Sequence, residues 1–343
     1  MSLIRVGVLR GGPSNEYEVS LKSGGEVLTA LHSMPGKYHP IDMFVSRDGE
    51  WHIQGVPATL SKIKESIDVV FNALHGGPGE DGTISDVLKE MNIPYTGSHG
   101  LPSSVAMDKI LTKEKLKALG IKVPEHFVID PVDLLNEKEK NTLHVVDEFA
   151  LKKSQEIFKK VSPPWIIKPV RGGSSLGMFL AKTLPELVEA LRQAIILGDE
   201  FFVEQYILGK EATCGVVDKF RGEDVYPLIP IEIRKPKWQP YDYELKYGGH
   251  ANNVIAGSFL PEEKQRIQSI ARDVHKELGL RHYSRSDFVV TLNGDIYFLE
   301  VNTLPGLTKH SLVPQALNAI GTPLHHFLDH VISLALEEHR FEK

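Results

Sequence analysis

The 343-residue chain has little of what several protein classes require. Its single cysteine, Cys214, excludes an intramolecular disulfide framework and a cysteine-based zinc site, and points to a reducing compartment. No run approaches the ~18 consecutive apolar residues of a membrane-spanning helix. Positive charge is in deficit: 39 Lys and Arg against 45 Asp and Glu leave a formal net charge of −6, which disfavours nucleic acid and anionic membrane as partners. The opening "MSLIRVGVLRGG" is too short and too broken by charge to read as a signal peptide, so the expected location is cytoplasmic. Internal repeats and low-complexity tracts are missing too. What remains is ordinary globular composition, 41% hydrophobic and 24% charged, with length for two or three domains.

Strand-like "LIRVGVL", "YHPIDMFVS" and "SIDVVFNALHG" alternate with helical stretches through "LKSGGEVLTALHSM" and "TISDVLKEMN". This alternation predicts a parallel sheet covered on both faces, an N-terminal domain over 1–97. A second unit, 98–202, opens with helix-like "SSVAMDKILTKEKLKALG" and passes through a charged segment near 131–162 that reads as a solvated helical insertion. It continues with strands "WIIKPV" and "GMFLAK" around "RGGSSLG". The third unit, 203–343, holds strands, a long loop at 234–260, a helix, a hairpin and a C-terminal helix. The fold class expected is α/β, with α+β character in the second and third units.

The hairpin carries the chemistry. In "SDFVVTLNGDIYFLEVN" the Asn293–Gly294 pair predicts a two-residue turn, which sets Asp287 opposite Glu300, Arg285 opposite Asn302 and Val289 opposite Phe298. By the period of two, Ile296, Phe298, Glu300 and Asn302 share a face. Directly opposed side chains have Cβ atoms about 4.5–5.5 Å apart, where like charges repel. Two carboxylates and a carboxamide so placed are an oxygen nest for a hard dication, and Mg²⁺ characteristically completes its shell with substrate phosphates. A phosphate site is available in "IIKPVRGGSSLG", where Lys168 ends a strand and a Gly/Ser loop follows; the loop lacks the Walker A pattern. A competing G-x-G-x-x-G at Gly77, Gly79 and Gly82 is disfavoured as a dinucleotide site, because Glu80 and Asp81 stand where a pyrophosphate would lie.

Taken together, "GGPSNEYEVS", "LHGGPGEDGT", "MDK", "IIKPVRGGSSLGM", "VEQYILGKE", "YDYELKY" and "RSDF…LEVNTLPGLTKHSL", in this order, resemble the D-alanine–D-alanine ligases of the ATP-grasp superfamily. The resemblance spans nearly the whole chain. It implies an ATP-grasp fold behind a Rossmann-like domain, ATP and Mg²⁺ (or Mn²⁺) as cofactors, D-alanine as substrate and a homodimer. It further implies that Lys109, Lys168 and Ser175 hold ATP phosphates, with Lys246 at the γ-phosphate. Glu204 then binds the adenine beside Tyr206 and Ile207, and Glu211 the ribose. Asp287, Glu300 and Asn302 become the magnesium ligands. Glu16, Ser174 and Tyr247 close a loop over the first amino acid, Arg285 and the Gly306 N–H form the oxyanion site, and His75, Ser311 and Leu312 line the second subsite. The sequence departs from the family after "KYG", where "GHANNVIAGSFLPEE" replaces an acidic and Cys-Pro-Ala segment. Ligation of another D-amino acid or hydroxy acid pair is the alternative, and a dehydrogenase or non-catalytic nucleotide module a more distant one.

Overall fold

A computed structural model describes residues 3–130, 143–173, 177–198, 200–234 and 252–341. The first sheet runs β4-β3-β2-β1-β5, from β1 (Ile4–Gly11), β2 (Tyr38–Val45), β3 (Trp51–Ile53), β4 (Val56–Pro57) and β5 (Val69–Asn72). Apolar β1 is parallel to β2 and β5, as the strand–helix alternation predicts, while β3 and β4 add an antiparallel edge ribbon too short to show in the periodicity. Helix α1 (Tyr17–His32) packs Val27 and Leu31 on this sheet; α2 (Leu60–Ser66) and α3 (Thr83–Glu90) complete the cover.

The expected long helix after residue 102 is two helices, α4 (Gly100–Met107) and α5 (Lys109–Ala118). Asp108 divides them because its carboxylate accepts the N–H groups of Ile110 and Leu111, which gives α5 its own N-cap. The second sheet, β6-β9-β7-β8, is antiparallel: β6 (His126–Ile129), β7 (Trp165–Pro169), β8 (Phe179–Ala181) and β9 (Phe201–Gln205). Strand β9 carries this sheet across the boundary expected at 202. Helices α6 (Leu143–Lys160) and α7 (Leu184–Leu197) cover the face that presents Trp165, Ile167, Phe201 and Val203. The charged segment is thus helical over α6; residues 131–142 of it lie outside those described.

The third sheet runs β13-β12-β10-β14-β15, with β11 (Val225–Pro227) beside β10. Its members are β10 (Lys210–Asp218), β12 (Ile231–Arg234), β13 (Asn252–Ile255), β14 (Tyr283–Val290) and β15 (Ile296–Asn302). Strand β13 lies inside the expected loop 234–260, where pairing with β12 orders four residues that carry no alternating pattern of their own. Helix α8 (Pro261–Glu277) packs on one face; α9 (Leu312–Ala319) and α10 (Leu324–Phe341) return the chain to the first sheet, and Leu317, Phe327 and Val331 share a core with Val6 and Phe71. Among the described residues no helix is long and apolar enough to cross a membrane.

The hairpin corrects the expected register in one half and keeps it in the other. Thr291 and Asp295 close a three-residue loop, Thr291 N–H to Asp295 O at 2.9 Å, with Gly294 at φ +79 in the left-handed region. Val289 therefore faces Tyr297 rather than Phe298, and Phe288 faces Phe298. Between Phe288 and Asp287 the register shifts, so Leu299 has no partner on β14 and forms a β-bulge. Beyond it Asp287 faces Glu300 and Arg285 faces Asn302, as expected. The bulge also reverses the side-chain alternation. Ile296, Phe298 and Val301 point into one core, so Phe298 and Glu300 do not share a face as a strict period of two requires. That is why an apolar strand can end in an acid.

Candidate active site

The second and third sheets face each other across a cleft. On β7 and β9 the odd-numbered Trp165, Ile167, Phe201 and Val203 fill the core, which leaves Ile166, Lys168 and Glu204 to the cleft. From the opposite sheet Glu211, Asp287 and Glu300 line it, with Asp287 and Glu300 on the same side of the hairpin. Lys109, Tyr206 and Ile207 complete the set. Eight residues predicted for the nucleotide and its metal thus meet in one place.

Lysines are held by design of the backbone around them. Lys109 starts α5, its N–H bonded to Val170 O at 3.1 Å and its Nζ to Gly172 O at 2.6 Å, which fixes the lysine under the Gly/Ser loop. Asp108 also takes Arg171 at 3.2 Å, clamping the helix start to the end of β7. Lys168 Nζ lies 2.5 Å from Glu204 Oε1. Burial works against the Lys168 charge, but Glu204 and Glu300 outweigh it and raise its pKa. Glu204, 2% exposed, would be driven toward the neutral acid by burial; Lys113 and Lys168 reverse this and hold it below the usual carboxylate range.

Lys113 was missed by the sequence reading. It sits four residues after Lys109, one turn along the same helical face, and that spacing was the available signal. Glu80 was weighed only as an obstacle to phosphate. It is buried against His75, Nδ1 to Oε1 at 3.3 Å, while His75 Nε2 meets Ser23 Oγ at 2.9 Å. Burial raises the Glu80 pKa, with His75 opposing and Glu16 adding to the rise. The glycines of that loop serve packing: a Cβ on Gly79 would lie 2.4 Å from Leu74 Cβ.

Arg285 holds Asp287 in both hands, Nε to Oδ1 and Nη2 to Oδ2 at 3.0 Å each, and Thr213 Oγ donates to Oδ1 at 2.5 Å. Asn302 is not a lining residue of the cleft; it follows Glu300 on the same face, its Oδ1 accepting from Leu304 N–H at 2.8 Å. The donor set is all oxygen and suits a hard dication: Glu300 with Asp287, once Asp287 turns from Arg285, and the second lone pair of Asn302 Oδ1. Glu16 lies where the Gly/Ser loop returns, since a Cβ on Gly173 would come 2.7 Å from its Oε2. Ser311 Oγ is anchored to Thr308, accepting its N–H at 3.1 Å, and a Cβ on Gly306 would approach that oxygen to 2.9 Å. Leu312 turns its side chain into the core with Leu317 and Val313, so only its backbone is left to face a substrate. Ser174, Ser175, Lys246 and Tyr247 lie outside the described residues.

A cleft between two antiparallel sheets, with lysines under a Gly/Ser loop and opposed acids across from them, defines an ATP-grasp enzyme. Family models agree on the kind: "D-ala D-ala ligase C-terminus" matches residues 115–333 and "D-ala D-ala ligase N-terminus" residues 54–98. A D-alanine–D-alanine ligase of Carboxydothermus hydrogenoformans is 35% identical over 97% of this chain and 99% of its own. The Bacillus anthracis D-alanine–D-alanine ligase solved with ATP superposes with a TM-score of 0.76 at 28% identity, covering 100% of both chains. The VanG D-Ala:D-Ser ligase of Enterococcus faecalis gives 0.78 at 28% identity, over 97% of this chain and 100% of its own. The chain belongs to the D-alanine–D-alanine ligase family.

Proposed function

We propose that this chain joins two D-alanines into D-alanyl-D-alanine at the expense of ATP, for peptidoglycan precursor synthesis. The observation that carries this reading is the meeting of Lys109, Lys168, Glu204, Glu211, Asp287 and Glu300 in one cleft. Glu204 takes the base beside Ile207 and Tyr206, Glu211 the ribose, and the two lysines with the Gly/Ser loop the phosphates. Asp287, Glu300 and Asn302 would hold Mg²⁺, which supplies charge neutralisation for the phosphoryl oxygens when bound. The carboxylate of the first D-alanine, its ammonium near Glu16, attacks the γ-phosphoryl, with ADP leaving and an acyl phosphate formed. The amine of the second D-alanine, in the subsite of His75 and Ser311, attacks the acyl carbon. Arg285 and the Gly306 N–H stabilise the tetrahedral oxyanion, and phosphate departs. Lys246, Ser174 and Tyr247 are assigned by resemblance to the γ-phosphate and to the loop that excludes water from the acyl phosphate. The working unit is proposed to be a cytoplasmic homodimer.

Phosphate release that needs both D-alanine and Mg²⁺ tests the reading; release indifferent to D-alanine contradicts it. The likeness to a D-Ala:D-Ser ligase favours a second reading, in which the second substrate is D-serine. Product analysis with equimolar D-alanine and D-serine separates the two.

A further inference from the structure

Lys113 is fully buried and lies outside the residues that line the cleft, yet its Nζ donates to Glu204 Oε2. It reaches Glu204 from behind, from α5, with Nζ 4.9 Å from the Phe202 ring centroid. Lys168 occupies the other oxygen, Oε1, from the cleft side. A single carboxylate thus has two lysines, and they are not equivalent. Lys168 lines the cleft beside the Gly/Ser loop, where its ammonium is open to a phosphate as well as to Glu204. Lys113 has no such alternative: it has no exposure to solvent, and burial lowers its pKa to about 8 even with Glu204 opposing.

We infer that Lys113 is a positioning residue that keeps Glu204 an ionised, acceptor-only partner of the base when Lys168 turns to phosphate, and so selects a 6-amino over a 6-oxo purine. The inference rests on the reading of Glu204 as the base-binding acid. A carboxylate offers lone pairs and no proton. A 6-amino group donates to it, whereas a 6-oxo group sets two acceptors face to face at a carboxylate that is only 2% exposed. Glu204 with neither lysine would take up a proton, as burial alone dictates, and could then donate to a 6-oxo group. The discrimination therefore depends on a lysine that never touches the nucleotide.

The test measures phosphate release with ATP and with ITP, at saturating D-alanine and Mg²⁺, and takes the ratio of kcat/KM for the two nucleotides. Inosine differs from adenosine at the 6-position and N1 without added bulk. Lys113→Met is expected to lower the ATP-over-ITP ratio by about tenfold or more, the scale of one mispaired buried group. Glu204→Gln, whose amide both accepts and donates, is expected to lower it as well. If Glu204→Gln lowers the ratio and Lys113→Met leaves it unchanged, Lys113 is only a strut between α5 and β9 and the inference fails while the reading of Glu204 stands. If neither variant moves the ratio, the reading of Glu204 itself fails. Should Lys113→Met not fold, the double variant decides, because Glu204→Gln leaves no unpaired buried carboxylate. A ratio equal to that of Glu204→Gln alone supports action through Glu204, and a further shift overturns it.

Discussion

His282 ties Gly97, two residues past the bridge from Tyr95 to Val70, to the start of β14, and acid should undo it. The residue sits at φ +67, has no exposed surface, and follows Arg281, whose guanidinium holds Gly97 O and Tyr95 O at 2.9 Å each. Its Nδ1 accepts the Gly97 N–H at 3.1 Å, so Nε2 carries the proton and donates to Glu338 at 3.1 Å. A second proton would have to displace Gly97. Burial is the main reason its pKa falls from 6.5 to about 4; the Glu338 bond opposes this and Arg281 adds to it. The unfolded chain therefore takes up this proton near pH 6.5 and the folded one near 4. Stability from this group is complete above pH 6.5 and is lost as pH falls toward 4, by about 3 kcal/mol at 1.36 kcal/mol per unit. His282→Asn keeps a side chain that tolerates φ > 0 and can accept the Gly97 N–H, but does not titrate. Urea unfolding at steps between pH 7.5 and 4 should show wild type losing about 3 kcal/mol more than the variant. Parallel pH profiles would refute the reasoning, because the variant changes the titration of His282 and of its partner Glu338 alone, and both changes act in the same direction.

Three further outcomes are expected. Gly79→Ala places a Cβ 2.4 Å from Leu74 Cβ and 2.6 Å from its carbonyl oxygen, so thermal unfolding should show a loss of at least about 1–3 kcal/mol, the usual cost of overpacking. Gly173→Ala pushes on Glu16 Oε2 at 2.7 Å and should raise KM for D-alanine more than KM for ATP; equal changes would detach Glu16 from the amino-acid site. Arg285→Met should depress kcat by about a hundredfold or more through loss of oxyanion stabilisation, with KM for ATP little changed, and an unaffected kcat would remove it from the reaction.

The fold and the site were legible to different depths. The parallel β1–β2–β5 core followed from apolar strands alternating with helices, because burial leaves β1 and β5 nearly continuous apolar runs, while β2 alternates. The short strands β3, β4 and β13 left no such mark, since each is formed by pairing rather than by its own pattern. The hairpin is the more instructive case. Its loop holds three residues instead of two, which alone would displace Asp287 from Glu300; the bulge at Leu299 restores the pairing. The right opposition was reached through a turn of the wrong length; the bulge falls just beyond the pair Phe288 and Phe298, which pack edge to face in the core. Asp108 announced a break in a helix by its side chain, and was read through because the flanking periodicity was continuous. Glu80 stands in a quoted motif and Lys113 only in the helical stretch after "MDK", but a role that acts through another side chain is visible only once the partner's position is known.

Asp287 and Glu300, face to face across the hairpin, are proposed to hold a divalent cation against the nucleotide. Titration of Mn²⁺ with a non-hydrolysable ATP analogue, followed by paramagnetic resonance, tests it directly. Glu300→Gln should weaken Mn²⁺ binding by at least about tenfold, the lower bound seen for disturbing a metal's supporting groups, with the fold unchanged by circular dichroism. Identical binding curves for wild type and variant would show that the opposed acids do not hold the cation.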